Sequence, residues 1–275
     1  MNFSHILHEI AGTAPETFEK TDGRRNVLKN ISRKVALTAL PFALGASSQK
    51  AHAQSSPNTV ITDSLNFILD LKNLTAAFYS EAVAQLLFPN HQTQSAFTTI
   101  LNQEQAHVHF LKTNILAMGG TVNTVPAYDF TLEGALDPFH DFATLLIVAQ
   151  VLEDMSVRAI KGQATNLMSH NNASLTSVLN IHSIDARHAS YIRQLRATIT
   201  GGTATVKPWI TGNQTGIENN AFKNAYAGEQ TSTQEGINLI GIGGQNITAL
   251  AASEAFDEPL SQNEVLAVIK PFIVA

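Results

Sequence analysis

Two short motifs in the 275-residue chain carry chemistry in their spacing. Glu104-x-x-His107 and Asp185-x-x-His188 each set a carboxylate three residues before an imidazole. Three residues turn an α-helix by about 300°, so both members of a motif share one face. Glu104 stands in line with Phe97, Ile100, Leu101, Val108 and Leu111, and Asp185 with Val178, Ile181, Ala189 and Ile192. Both motifs therefore point along apolar stripes, toward a core. Glu153 does the same, flanked at helical spacing by Leu145, Leu146, Ala149 and Ile160. Its neighbour Asp154 aligns with Arg158 four residues on and reads as a surface ion pair. Inward carboxylates are costly unless they are paired or coordinated. Carboxylate oxygens with imidazole suit Fe, Mn or Zn, and the competing account is a buried network of ion pairs and hydrogen bonds.

Other chemistries find little support. There is no cysteine, which excludes disulfides, zinc-thiolate sites and iron–sulfur clusters. The formal charge of -5 gives no reason to expect a nucleic-acid partner. No nucleophile motif is evident, and Gly241-Ile242-Gly243-Gly244 lacks the strand–turn–helix setting of a dinucleotide fingerprint. His109 aligns with polar residues and is expected at the surface, with His140 and His170 near helix ends. His91 is expected near a helix start, and His182, one turn before Asp185, is left open as a hydrogen-bonding partner of the cluster.

The elements that must position the cluster are helical, so the chain reads as all-α. Periodicity runs from about residue 65 to the break at Pro89-Asn90. It resumes from about Gln92 to Met118, stopping at Gly119-Gly120. Residues 121–137 form a long connection. Asp137-Pro138 reads as the cap and first residue of a third helix reaching about Ser169, and a fourth runs from about Ala173 to Thr200. Connections that are short, long and short give an antiparallel four-helix bundle with one crossover, between the second and third helices. Residues 201–245 are rich in Gly, Thr, Asn and Gln. Ser261-x-x-Glu264 is a capping box that opens a last short helix ending before Pro271. The expected organisation is a leader at 1–53, a bundle at 54–200 and a C-terminal extension at 201–275 packed on the bundle.

The leader reading rests on order. Arg24-Arg25 precedes an apolar run from Val35 to Ala46, which is too short to span a bilayer with confidence, and Ala51-His52-Ala53 supplies a cleavage pattern. This resembles a twin-arginine export signal. Residues 1–53 hold seven of the 17 basic and four of the 22 acidic residues, so the mature chain keeps 10 and 18, a charge of -8. The expectation is a mildly acidic exported bacterial protein, periplasmic or extracellular, without a membrane anchor after cleavage.

Leu65-Asn66-Phe67, Phe78-Tyr79, Glu104 to Leu111, Glu153 to Val157 and Asp185 to Ala189 together resemble the exported ferritin-like family that includes desiccation-associated proteins. The likeness covers about residues 58–198, and Glu254 to Phe272 resembles the tail of bacterial members. It implies a ferritin-like bundle with metal ligands at Glu104, His107, Glu153, Asp185 and His188. Two positions depart from the family pattern. Asp185 replaces a glutamate, one methylene shorter. Lys72, seven residues before Tyr79, stands where the first helix supplies a glutamate, and Glu81 is about 180° away from it around the helix.

Lys72 shares a stripe with Leu65, Ile68, Leu69 and Tyr79. Its ammonium among three carboxylates would take the place of one metal, leaving a mononuclear or vestigial site. Tyr79 is expected as a core tyrosine with a satisfied hydroxyl, the alternative being a redox-active neighbour. The leading expectation is an exported ferritin-like protein of desiccation or oxidative stress tolerance or metal handling, holding one Fe, Mn or Zn ion. The alternative is a metal-free, non-catalytic envelope protein that keeps only the scaffold. A reaction, a protein partner and the oligomeric state are left open, homo-oligomers included.

Overall fold

The computed structural model describes residues 57–85, 88–168, 170, 172–200, 206–213, 217, 220–234 and 236–274. Residues 53–242 and 246–275 make up one compact unit, which holds the elements below. The expected leader, with its arginine pair and cleavage pattern, lies outside the described residues. Four long helices dominate: α1 (Pro57–Gln85), α2 (His91–Ala117), α3 (Phe142–Met168) and α4 (Asn172–Ile199). α1 packs on α2, α3 packs on α4, and α1 packs on α3. None of the described helices is long and apolar enough to cross a membrane.

The helix ends follow local chemistry. α1 opens on Pro57, whose missing N–H is no loss in a first turn. Asn90 caps α2, its side-chain oxygen accepting Thr93 N–H at 2.8 Å. Gly119, at φ 77°, closes α2 with bonds from Gly119 N to Leu116 O (3.0 Å) and Gly120 N to Ile115 O (2.9 Å). That is a Schellman motif, and the left-handed residue is glycine because a Cβ there would strain. The start of α3 differs from expectation. Asp137-Pro138 forms a preceding turn, and Asp141 is the cap, accepting Thr144 N–H at 2.9 Å. Proline tolerates the first position of a turn as readily as that of a helix, so an Asp-Pro pair does not distinguish them.

The crossover lies against α1. Asn66 donates to Thr121 O at 2.9 Å and accepts Asn123 N–H at 3.1 Å, and Phe130 meets Phe78 edge-on at 5.3 Å. The C-terminal segment then stitches onto the crossover: Asp129 N donates to Phe272 O (2.8 Å) and Val274 N to Ala127 O (3.0 Å). Two short helices, α5 (Ala249–Ser253) and α6 (Gln262–Ile269), lie in this segment, with a small β1 (Thr233–Gln234) and β2 (Ile237–Asn238) hairpin. The Ser261–Glu264 capping box is present, and α6 ends before Pro271.

The expected surface pair of Asp154 and Arg158 is overturned, since both are buried. Asp154 pairs with Arg193 of α4 at 2.5 Å and accepts the Tyr226 hydroxyl at 2.7 Å. Arg158 pairs with Glu229 at 2.5 Å, donates to Glu258 O at 2.8 Å, and also reaches the carbonyls of Ala225 and Ala227. The C-terminal segment covers this side of α3, so a spacing that looks solvated on an isolated helix is an interior one here.

The tail backbone also approaches α3 directly. Leu260 N donates to Arg158 O at 3.1 Å, and a Cβ on Gly162 would lie 2.1 Å from Leu260 O. An alanine in a helix interior ordinarily stabilises by about 1 kcal/mol over glycine. Here the overlap with backbone reverses the sign. Gly162→Ala is expected to destabilise the protein by about 1–3 kcal/mol, measured by urea unfolding; a gain would show that the tail does not sit on α3.

Candidate metal centre

Seven side chains meet inside the bundle. Lys72 and Tyr79 stand two turns apart on α1, Glu104 and His107 come from α2, Glu153 from α3, and Asp185 and His188 from α4. Lys72, Tyr79, Glu104, Glu153 and Asp185 are fully buried, while His107 and His188 keep 6% and 5% of their exposure. The two i,i+3 motifs and Glu153 thus face inward as their apolar neighbours predict.

The ammonium of Lys72 lies 3.0 Å from Glu104 Oε2, 3.2 Å from Glu104 Oε1 and 2.5 Å from Asp185 Oδ2. His107 Nδ1 faces Glu104 Oε1 at 3.5 Å and Asp185 Oδ1 at 3.7 Å. His188 Nδ1 faces the same Glu104 oxygen at 3.4 Å and Glu153 Oε2 at 3.5 Å. On the other side of that ring, Nε2 meets Gln103 Oε1 at 2.6 Å. With Gln103 accepting, Nε2 carries the proton and a neutral ring turns a lone pair inward from Nδ1. Gln103 was not singled out in the sequence. A glutamine beside a buried glutamate on a helix has no distinguishing spacing, and only the approach of α4 gives it a partner.

One donor atom each from Glu104, Glu153, Asp185 and His188 fall within 4.8 Å of one another, a group that does not include His107. Two donors about 2.1 Å from a shared ion stand no more than about 4.2 Å apart. The widest pair would therefore have to draw together by at least about half an ångström to share an ion. Asp185, despite its shorter side chain, reaches the group. Neither Glu153 oxygen nor either Nδ1 has a hydrogen-bond partner, although all are buried. Buried polar atoms rarely stay unmatched, and a cation is the partner that carboxylate oxygens and imidazole nitrogens share. The donor set thus fits Fe, Mn or Zn.

The charges shape each other. Burial opposes the Lys72 charge, but Asp185, Glu104 and Glu153 outweigh it and hold the ammonium above its ordinary value. Burial likewise opposes the Glu104 charge. Lys72, together with the two histidines that face it, overcomes it and keeps that carboxyl well below the usual range. Asp185 goes the other way: burial pushes it up against the pull of Lys72, and the charges of Glu104 and Glu153 add to the rise. His188 is raised to about 10, its burial outweighed by Glu153 and Glu104. Tyr79 is raised by burial and then by Glu153. Its hydroxyl has no hydrogen-bond partner, against the expectation of a satisfied core tyrosine. His182 is half-buried, and burial and then Lys161 lower it.

A family model for the ferritin-like domain matches residues 61–198, from the first turns of α1 to the end of α4. The chain belongs to the ferritin-like domain family. No curated protein matches it. Ferritin-like bundles with metal centres place carboxylates from four helices and histidines from two of them around the core. In this chain the cluster holds two histidines, three carboxylates and the ammonium of Lys72.

A cationic group held above its unfolded value of about 6.5 adds stability that is complete below that pH and disappears as pH rises through the folded value. Chelator-treated protein is therefore expected to lose thermal stability between about pH 6.5 and 10. His188→Gln should show a smaller loss over that window, followed by the circular-dichroism Tm. Equal slopes in the two proteins would show that His188 is not held as a cation by Glu153 and Glu104.

Proposed function

We propose that this ferritin-like protein binds a metal ion through Glu104, Glu153, Asp185 and His188, and that it serves stress tolerance or metal handling outside the bacterial cytoplasm. The observation that carries the metal reading is the buried four-donor group within 4.8 Å, with both Glu153 oxygens unmatched. A bound iron or manganese would supply one-electron redox chemistry, whereas zinc would not. The protein's own part is to hold the donors in a buried core, orient His188 through Gln103 and keep Tyr79 beside the Glu153 charge. The export and stress parts rest on the arginine pair, the apolar run and the likeness to exported desiccation-associated relatives.

A second reading keeps the bundle as a metal-free scaffold. It is favoured by the Lys72 ion pairs, which already supply a cation to Glu104 and Asp185. Metal content of protein purified from its native compartment, by mass spectrometry, separates the two. The metal reading expects about one ion per chain and its loss in Glu104→Ala. The scaffold reading expects no ion in the wild type and a stability loss of about 3–5 kcal/mol in Glu104→Ala, since Lys72 loses a buried partner.

The export reading has its own test. Replacing Arg24 and Arg25 together with lysine should leave unprocessed chain in the cytoplasm, seen by fractionation and intact mass. Normal export of that variant would remove the twin-arginine reading and leave the metal reading untouched.

A further inference from the structure

We infer that the centre is divided into two unequal halves: the Lys72 ammonium permanently fills the half that His107 faces, and a single divalent ion is taken by the half that His188 faces. The inference rests on the proposed metal binding and says where that ion sits, how many there are and what limits the number.

The two histidines do not address the same carboxylates. His107 Nδ1 faces Glu104 and Asp185, and His188 Nδ1 faces Glu104 and Glu153. Each imidazole with its pair of carboxylates is a donor set for one divalent cation, and Glu104 is common to both. The ion pairs of Lys72 run to Glu104 and Asp185, which is the pair that His107 faces. One half is therefore already filled by a covalently attached cation that cannot diffuse away. Glu153 in the other half is fully buried and has no hydrogen bond to either oxygen. The compact donor group contains His188 and Glu153 but not His107, and Asp185, shared with the ammonium, joins it from the other half.

Charge sets the count. Three carboxylates and one ammonium leave two negative charges among these residues, which one divalent ion neutralises. A second divalent ion would have to enter the half in which the ammonium already stands at ion-pair distance from both carboxylates that His107 faces, and the cations would repel in a buried core. His107 accordingly lies next to the ammonium and is not a ligand of the ion, which narrows the five-ligand set that the sequence suggests. Lys72 is the residue that fixes the stoichiometry at one.

The experiment is a titration of the chelator-treated full chain with cobalt(II) chloride, following the visible cobalt absorption, with ions per chain then counted by mass spectrometry. The proteins are the wild type, His107→Ala, His188→Ala, Lys72→Glu and Lys72→Met, each checked for fold by circular dichroism. The inference expects one ion in the wild type and in His107→Ala, with affinities within about threefold. It expects affinity weakened about tenfold or more in His188→Ala, and a rise toward two ions in Lys72→Glu. Lys72→Met, which removes the ammonium without adding a charge, should also rise if Lys72→Glu does not fold.

Two ions in the wild type, or one ion lost in His107→Ala and kept in His188→Ala, would overturn the division while leaving metal binding intact. A count that stays at one in a folded Lys72 variant would overturn Lys72 as the limit. No ion in any of the proteins would end the metal reading itself, and the division with it.

Discussion

A buried bundle core must balance its own charge, and the remaining features of the centre follow from that requirement. Glu104, Glu153 and Asp185 lie where solvent cannot reach them. Ionising one such group unaided costs several kcal/mol after relaxation. The Lys72 ammonium meets part of the demand and divides it unevenly. Glu104, touched by the ammonium and faced by both imidazoles, is the settled anion. Asp185 shares the ammonium but is held up by burial and its neighbours' charges, and Glu153 has no ammonium beside it at ion-pair distance. His188 answers the remaining charge by taking a proton, and a metal ion would answer it by displacing that proton. Proton and metal thus compete for one nitrogen, which couples affinity to pH.

A second ionic cluster lies further along α3 and serves another purpose. Asp154, Arg193 and Tyr226 form one part, and Arg158, Glu229 and the tail carbonyls form the other. Here nearly every donor finds an acceptor, with Glu229 Oε2 and the nearby Ser156 hydroxyl left over. The contrast with the centre is informative. A network whose members satisfy one another is sufficient as structure and requires nothing further. A cluster whose carboxylates and imidazoles keep buried atoms without hydrogen bonds has donors to offer a cation.

How far the sequence revealed this depended on whether the decisive contact was local. The four helices, the glycine stop after α2 and the Ser261 box are set by residues within a few positions of one another, and each appears where its pattern predicts. The inward direction of Glu104, Glu153 and Asp185 was legible because each shares a stripe with aliphatic neighbours. Lys72 was legible the same way. The failures are all tertiary. Asp154 and Arg158 have the spacing of a solvated pair, and only the tail makes them interior. Asp141, rather than Asp137, caps α3, although either aspartate satisfies the local rule. Gln103 carries no signal until α4 places His188 against it.

The same geometry determines which edge of the centre meets solvent. The carboxylates and Lys72 have no exposure, and the two imidazoles keep a little. Both histidines sit one turn after their carboxylates on α2 and α4, so the slightly open edge is the one these two helices provide. Gln103 belongs to that edge, half-buried and bonded to His188 Nε2. Imidazole is the donor best suited to a boundary position, because its charge can be set aside by losing a proton, whereas a carboxylate there would stay hydrated and be drawn outward. The order from solvent inward is therefore amide, imidazole, carboxylate and ammonium. It runs from neutral groups that need no counter-charge toward those that hold their charge, once dehydrated, only because of one another.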